Sequence, residues 1–186
     1  MATFDGKYEG LRKAARDNRL KLNTEFNRAQ REYDSGKLTY EGREQVKKEA
    51  QRVYDETRAR LRSEYQALVA AERAALLKGL QQPPAGTVAS EWRSIAQTVD
   101  QALFDHNGNG VEQLIDRAVT FVDAGLARGL AARTYQRFLK TGDRIDHLQK
   151  LADVDTPIAE AVSFEANYGA LQPREVRLLG PFGGFD

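Results

Sequence analysis

"DSGKLT", residues 34–39, separates two long helical patterns, and its reading decides the fold. Gly36 can take the left-handed backbone that ends a helix, and Thr39 offers a side-chain oxygen to cap the next one. Upstream, Phe4, Tyr8, Leu11, Ala15, Leu22, Phe26, Ala29 and Tyr33 step by 4, 3, 4, 7, 4, 3 and 4. That spacing puts them on one stripe of a helix from Asp5 to Tyr33. Arg12, Lys13, Arg16, Asp17, Arg19, Lys21, Arg28 and Arg31 lie between them and face water. Downstream, Val46, Ala50, Val53, Thr57, Leu61, Tyr65 and Leu68 carry a second pattern from Tyr40 to Leu80, which Pro83 and Pro84 stop. At ~1.5 Å per residue this second helix is on the order of 60 Å long. A charged helix of that length cannot bury itself in a small globule, and so short a turn favours antiparallel pairing with its neighbour. Residues 5–80 are therefore expected to form a protruding helical hairpin. Its apolar stripe is narrow and follows no strict heptad. Tyr and Ala are prominent in it, so its packing is expected to be incomplete without a partner.

"QQPPAGTVAS", 81–90, reads as a linker. Ser90 can cap a helix holding Trp92, Ile95, Val99, Leu103 and Phe104. From Val111 the pattern predicts one further helix through Leu114, Ile115, Ala118, Phe121, Leu126, Leu130, Tyr135 and Phe138. Gly125 and Gly129 within it mark either a close helix crossing or a break. "KTGD" ends it, and Asp143 starts a short helix with Ile145, Leu148 and Leu151. Thr156 as a cap and Pro157 in the first turn open a last helix that ends near Gly169. The tail "ALQPREVRLLGPFGGFD" changes character, because Pro173 and Pro181 exclude regular helix. Its apolar residues, Val176, Leu178, Leu179, Phe182 and Phe185, either fold back on the bundle or dock on a neighbouring subunit. A short strand at Glu175–Leu179 is the one candidate for β structure. The expected fold is all-α: a long antiparallel helical hairpin (1–80), a linker (81–90), a small helical bundle (91–169) and an extended C-terminal tail (170–186).

Composition narrows the chemistry. The 186 residues contain no cysteine, which excludes disulfides, thiolate catalysis and Cys-based zinc sites. No apolar run approaches the roughly 18–20 residues of a membrane span, and "MATFDGKYEG" has no apolar signal region. The chain is expected to be made and kept in the cytoplasm, or packaged into something assembled there. The overall charge of +1 hides an asymmetry: residues 1–80 hold 18 Lys+Arg against 13 Asp+Glu, and residues 81–186 hold 10 against 14. This reads either as two solvated surfaces of different sign or as a basic arm that meets an acidic partner.

"DHNGNGVEQLID", 105–116, has the spacing of a calcium loop. Asp105, Asn107 and Asn109 alternate, Gly110 follows, and Asp116 closes a twelve-residue span. Asp116 stands where a longer Glu arm is normal, Glu112 occupies a position that is usually apolar, and no second copy accompanies the loop. Asn-Gly-Asn-Gly is also turn chemistry. We read the stretch as a turn between two helices, with Asp105, Asn107, Asn109 and Asp116 as the ligand set if calcium binds at all. His106 and His147 lie on polar stretches without a nucleophile or metal-ligand partner at a telling spacing. No phosphate loop or nucleophile elbow appears. Asp153 and Asp155 precede a helix start, where capping explains them. An enzyme would need a polar cluster in the bundle, and none is legible in the sequence. No catalytic residue, cofactor or small-molecule substrate is expected.

"YDSGKLTYEGREQVKKEAQRVYDETRARLRSEY" supports a further comparison. A turn of the form Gly-x-Leu-Thr-x-x-Gly-Arg leading into a long Arg/Glu/Ala-rich helix resembles the helical hairpins in small head proteins of tailed phages of high-GC bacteria. The resemblance covers residues 5–80, is one of composition, and identifies no functional residue. It implies a structural role as a minor capsid or decoration protein, or as a scaffolding protein. The expected mechanism is packing, through the hairpin residues Leu11, Leu22, Phe26, Val46, Val53 and Leu61 and the tail residues Leu178, Leu179, Phe182 and Phe185, against further copies of the chain or a capsid shell protein. The rival reading is a nucleic-acid-binding module. Arg58, Arg60 and Arg62 spread around the helix, however, and Asp55, Glu56 and Glu64 dilute their field.

Overall fold

A computed structural model describes residues 3–104, 109–142 and 145–169, and every regular element among them is helical. The chain is all-α. It divides into two compact units between Ala70 and Ala71. The sequence reading placed the division at 81–90, after the end of the second helix.

In the first unit, α1 (Phe4–Asp34) is capped by Thr3, whose hydroxyl accepts from the Gly6 amide. It ends at Ser35, and Gly36 follows with φ 73°. Thr39 then accepts from the Gly42 amide at 3.1 Å and opens α2 (Tyr40–Leu80). The turn chemistry of 34–39 is thus the one its residues predict. As α1 advances from Tyr8 through Asn18 to Gln30, its partner on α2 retreats from Tyr65 through Tyr54 to Arg43. The two helices therefore run antiparallel. Ala15, Asn18 and Ala29 of α1 and Tyr54, Leu61 and Val69 of α2 are buried.

The second unit begins inside α2, because Leu76, Leu77 and Leu80 belong to the bundle core. Segment 81–88 lies in the same unit, where the Arg128 guanidinium donates to the Gln82 carbonyl. The remaining helices are α3 (Ala89–Phe104), α4 (Asn109–Thr120), α5 (Ala124–Thr141), α6 (Asp146–Leu151) and α7 (Thr156–Tyr168). The core gathers Val99, Ile115, Leu130, Tyr135, Leu148 and Ile158 around α5.

The single helix expected from Val111 onward is two helices. Val122 takes φ 50°, and Asp123 caps α5 by accepting from the Leu126 amide at 2.9 Å. The glycines do not make this break. A Cβ on Gly129 would lie 2.8 Å from Ile95 Cγ2, so the glycine lets α5 cross α3 closely. At the start of α7 the cap position falls on Asp155, one residue before Thr156, and Pro157 sits in the first turn. Gly142 ends α5 with φ 72°. Among the described residues, no helix is long and apolar enough to cross a membrane.

Candidate functional site

Between α1 and α2, within the first unit, lies a groove of about 1010 Å³. Its apolar lining comes from Leu22 on α1 and Leu38, Val46, Ala50 and Val53 on α2 and the turn before it. Ala50 presents only a methyl group to the seam, and the polar amide of Asn18 lies at one end. Three of the six hairpin residues expected to meet a partner, Leu22, Val46 and Val53, therefore line one feature. Leu11 and Phe26 are half-buried along the same helix pair, and Leu61 is buried in it.

The buried residue of the seam at this level is Tyr54, 7% exposed, while Val53 is 47% exposed at the lip of the groove. The helical period explains the difference. Ala50, Tyr54, Thr57 and Leu61 step by 4, 3 and 4, and Val53 stands about 100° round the helix from Tyr54.

The walls of the groove are charged. Arg28 is held by Glu25 at 2.8 Å, and Arg52 by Glu49 at 2.6 Å and Glu56 at 2.5 Å. Hydrogen bonding to Arg52 draws the Glu49 carboxyl below its ordinary range. Lys21 on one wall and Lys48 on the other have no ion pair among the described residues. Beyond the groove, Arg43 lies over the rings of Tyr33 and Tyr40 at 4.6 and 4.9 Å and ties the turn end of the hairpin to Gln30.

The bundle holds a polar cluster that sequence reasoning missed. Glu165 is fully buried, and its carboxylate receives Arg73 Nε at 2.8 Å, Arg73 Nη2 at 2.7 Å and the Tyr135 hydroxyl at 2.8 Å. Burial first, and then the neighbouring Glu165 charge, push the Tyr135 phenol far above its ordinary range. The signal was present: Ile158, Ala161 and Glu165 step by 3 and 4, so a carboxylate sits on the inward stripe of α7. The cluster is tightly packed against the end of α7, where a Cβ on Gly169 would overlap Glu165 Oε2 and approach Arg73 Nη2 to 2.9 Å. It joins α2, α5 and α7. Two further forked pairs do similar work. Arg128 grips Asp155 at 2.7 and 2.6 Å, and Arg133 grips Asp100 at 2.7 and 2.9 Å.

Of the calcium-loop residues, Asp105 and Asn107 lie outside the described residues, as does the side chain of Asn109. Asp116 is exposed on α4. Glu112 faces α6, where it meets Lys150 at 2.8 Å and His147 at 3.1 Å. The Lys150 hydrogen bond draws its carboxyl below the ordinary range. Among the described residues, no group of three or more His, Asp or Glu side chains is placed to hold a metal ion. His106 and the tail residues Leu178, Leu179, Phe182 and Phe185 also lie outside the described residues, as does the candidate strand at Glu175–Leu179. In comparisons with family models, curated proteins and solved structures, nothing matches this chain.

Proposed function

We propose that this chain is a non-enzymatic structural protein of a larger assembly, working by helix packing through its hairpin. The observation that carries the reading is the groove. A folded helical pair keeps Leu22, Val46, Ala50 and Val53 along a groove of about 1010 Å³ that no described residue fills, and its lip residue Val53 is 47% exposed. An apolar groove of this length between two helices suits a third helix laid along it. In the bundle, buried Glu165 is held by Arg73 and Tyr135 and ties three helices together, which supports a structural unit of fixed shape.

The resemblance of residues 5–80 to the hairpins of small phage head proteins makes a minor capsid or decoration protein of a tailed-phage virion the specific form of the proposal. A scaffolding or assembly-chaperone role is the alternative within the same class. The bundle core, with Leu80, Val99, Ile115, Leu130 and Leu148 buried, favours the permanent component. A nucleic-acid module finds less support, because Arg28, Arg52 and Arg60 each face a carboxylate on their own helix.

The test is quantitative detection of the chain in density-purified particles after nuclease treatment and a high-salt wash. Retention in mature particles is the expected result. Presence in precursor particles alone would transfer the role to scaffolding. Absence from both, with the protein abundant in the lysate, would overturn the reading.

A further inference from the structure

We infer that the hairpin groove takes an acidic amphipathic helix from another protein, and that Lys21 and Lys48 select it. The inference rests on the reading of the hairpin as a docking surface and adds the chemistry of the occupant. The groove is flanked by Asn18 to Arg28 on α1 and by Gly42 to Tyr54 on α2. At ~1.5 Å per residue it is about 15 Å long, or about three helical turns. An occupant helix with apolar residues at i, i+3, i+4 and i+7 would lay that face on Leu22, Val46, Ala50 and Val53.

The walls decide the charge of the occupant. The Arg28 and Arg52 guanidinium groups are already matched by Glu25, Glu49 and Glu56. Lys21 and Lys48 are exposed on opposite walls without an ion pair among the described residues. An occupant lying between them meets an uncompensated positive charge on each flank, so carboxylates on both edges of its apolar face complete the site. A second copy docking groove to groove would bring its own Lys21 and Lys48 against these and add like-charge repulsion. The observations therefore favour a partner of opposite sign over self-pairing.

The experiment uses the full chain and two synthetic helical peptides of about fourteen residues that share one apolar face. One carries Glu along both edges of that face, and the other carries Lys. Binding is read by fluorescence anisotropy at low and moderate salt. The expected result is that the Glu peptide binds at least tenfold tighter than the Lys peptide, by less as salt rises. The Lys21→Glu/Lys48→Glu double variant should reverse that preference, whereas Lys78→Glu, outside the groove, should leave it unchanged. Val53→Glu, at an exposed position, should remove binding of both peptides without loss of helicity.

Equal binding of both peptides, lost in Val53→Glu, would overturn the acidic partner and leave the docking surface standing. Failure of both peptides together with self-association that Val53→Glu abolishes would make a second copy the occupant and overturn the proposal. Failure of both with a monomeric chain would overturn the proposal and the docking reading together.

Discussion

Asn18 of α1 donates from Nδ2 to the backbone carbonyl of Tyr54 on α2 at 3.1 Å, and it is buried in a stripe that is otherwise apolar. The bond satisfies the buried amide and ties the middle of α1 to the middle of α2.

The first prediction concerns that amide. Asn18→Asp replaces the donor by a carboxylate facing a carbonyl, and it should cost about 1–3 kcal/mol in chemical denaturation. Asn18→Leu should raise the denaturation midpoint, since it removes a buried polar group from an otherwise apolar stripe.

Arg73 and Glu165 supply the second. Arg73→Met leaves a fully buried carboxylate without its forked partner and should destabilise by about 3–5 kcal/mol. The double variant Arg73→Met/Glu165→Met should recover most of that loss. A double variant no more stable than Arg73→Met would show that the pair is not the source of the cost.

The third follows from Tyr135. Folding holds its hydroxyl protonated well above the ordinary phenol range, through burial and the adjacent Glu165. A raised folded-state value means the stabilisation is complete below about pH 10 and is lost as pH rises beyond it. Thermal stability should therefore fall above about pH 10. That alkaline slope should be shallower in Tyr135→Phe, even though the variant starts from lower stability after losing its bond to Glu165.

Val122 gives the fourth. It is a β-branched residue at φ 50° and 68% exposed, so it carries left-handed strain with little packing in return. Val122→Asn should raise stability by about 1 kcal/mol, measured by urea denaturation.

These sites differ in how far they could be read from the sequence. The hairpin was legible because its turn is local chemistry: Gly36 and Thr39 act as their residue types dictate. Tyr54 is harder to read, because a scan for apolar residues prefers its neighbour Val53, whereas the helical period places Tyr54 in the seam. The break between α4 and α5 was hidden by Phe121 and Val122, which continue an apolar pattern although both are exposed at the turn. Asp123, as a cap, was the available signal. Glu165 was passed over because a charged residue on an inward stripe becomes meaningful only once Arg73, far away in sequence, is brought to it. The groove is a space rather than a residue. It becomes visible only when the two helices are set in register, which brings Leu22 level with Ala50.

Docking through the hairpin groove is tested most directly by incorporation of the Val53→Glu chain into particles in competition with wild type. Val53 is 47% exposed, so the variant should fold with an unchanged melting temperature. Purified particles should be depleted of the variant at least tenfold relative to wild type. Equal incorporation of a folded Val53→Glu chain would contradict it.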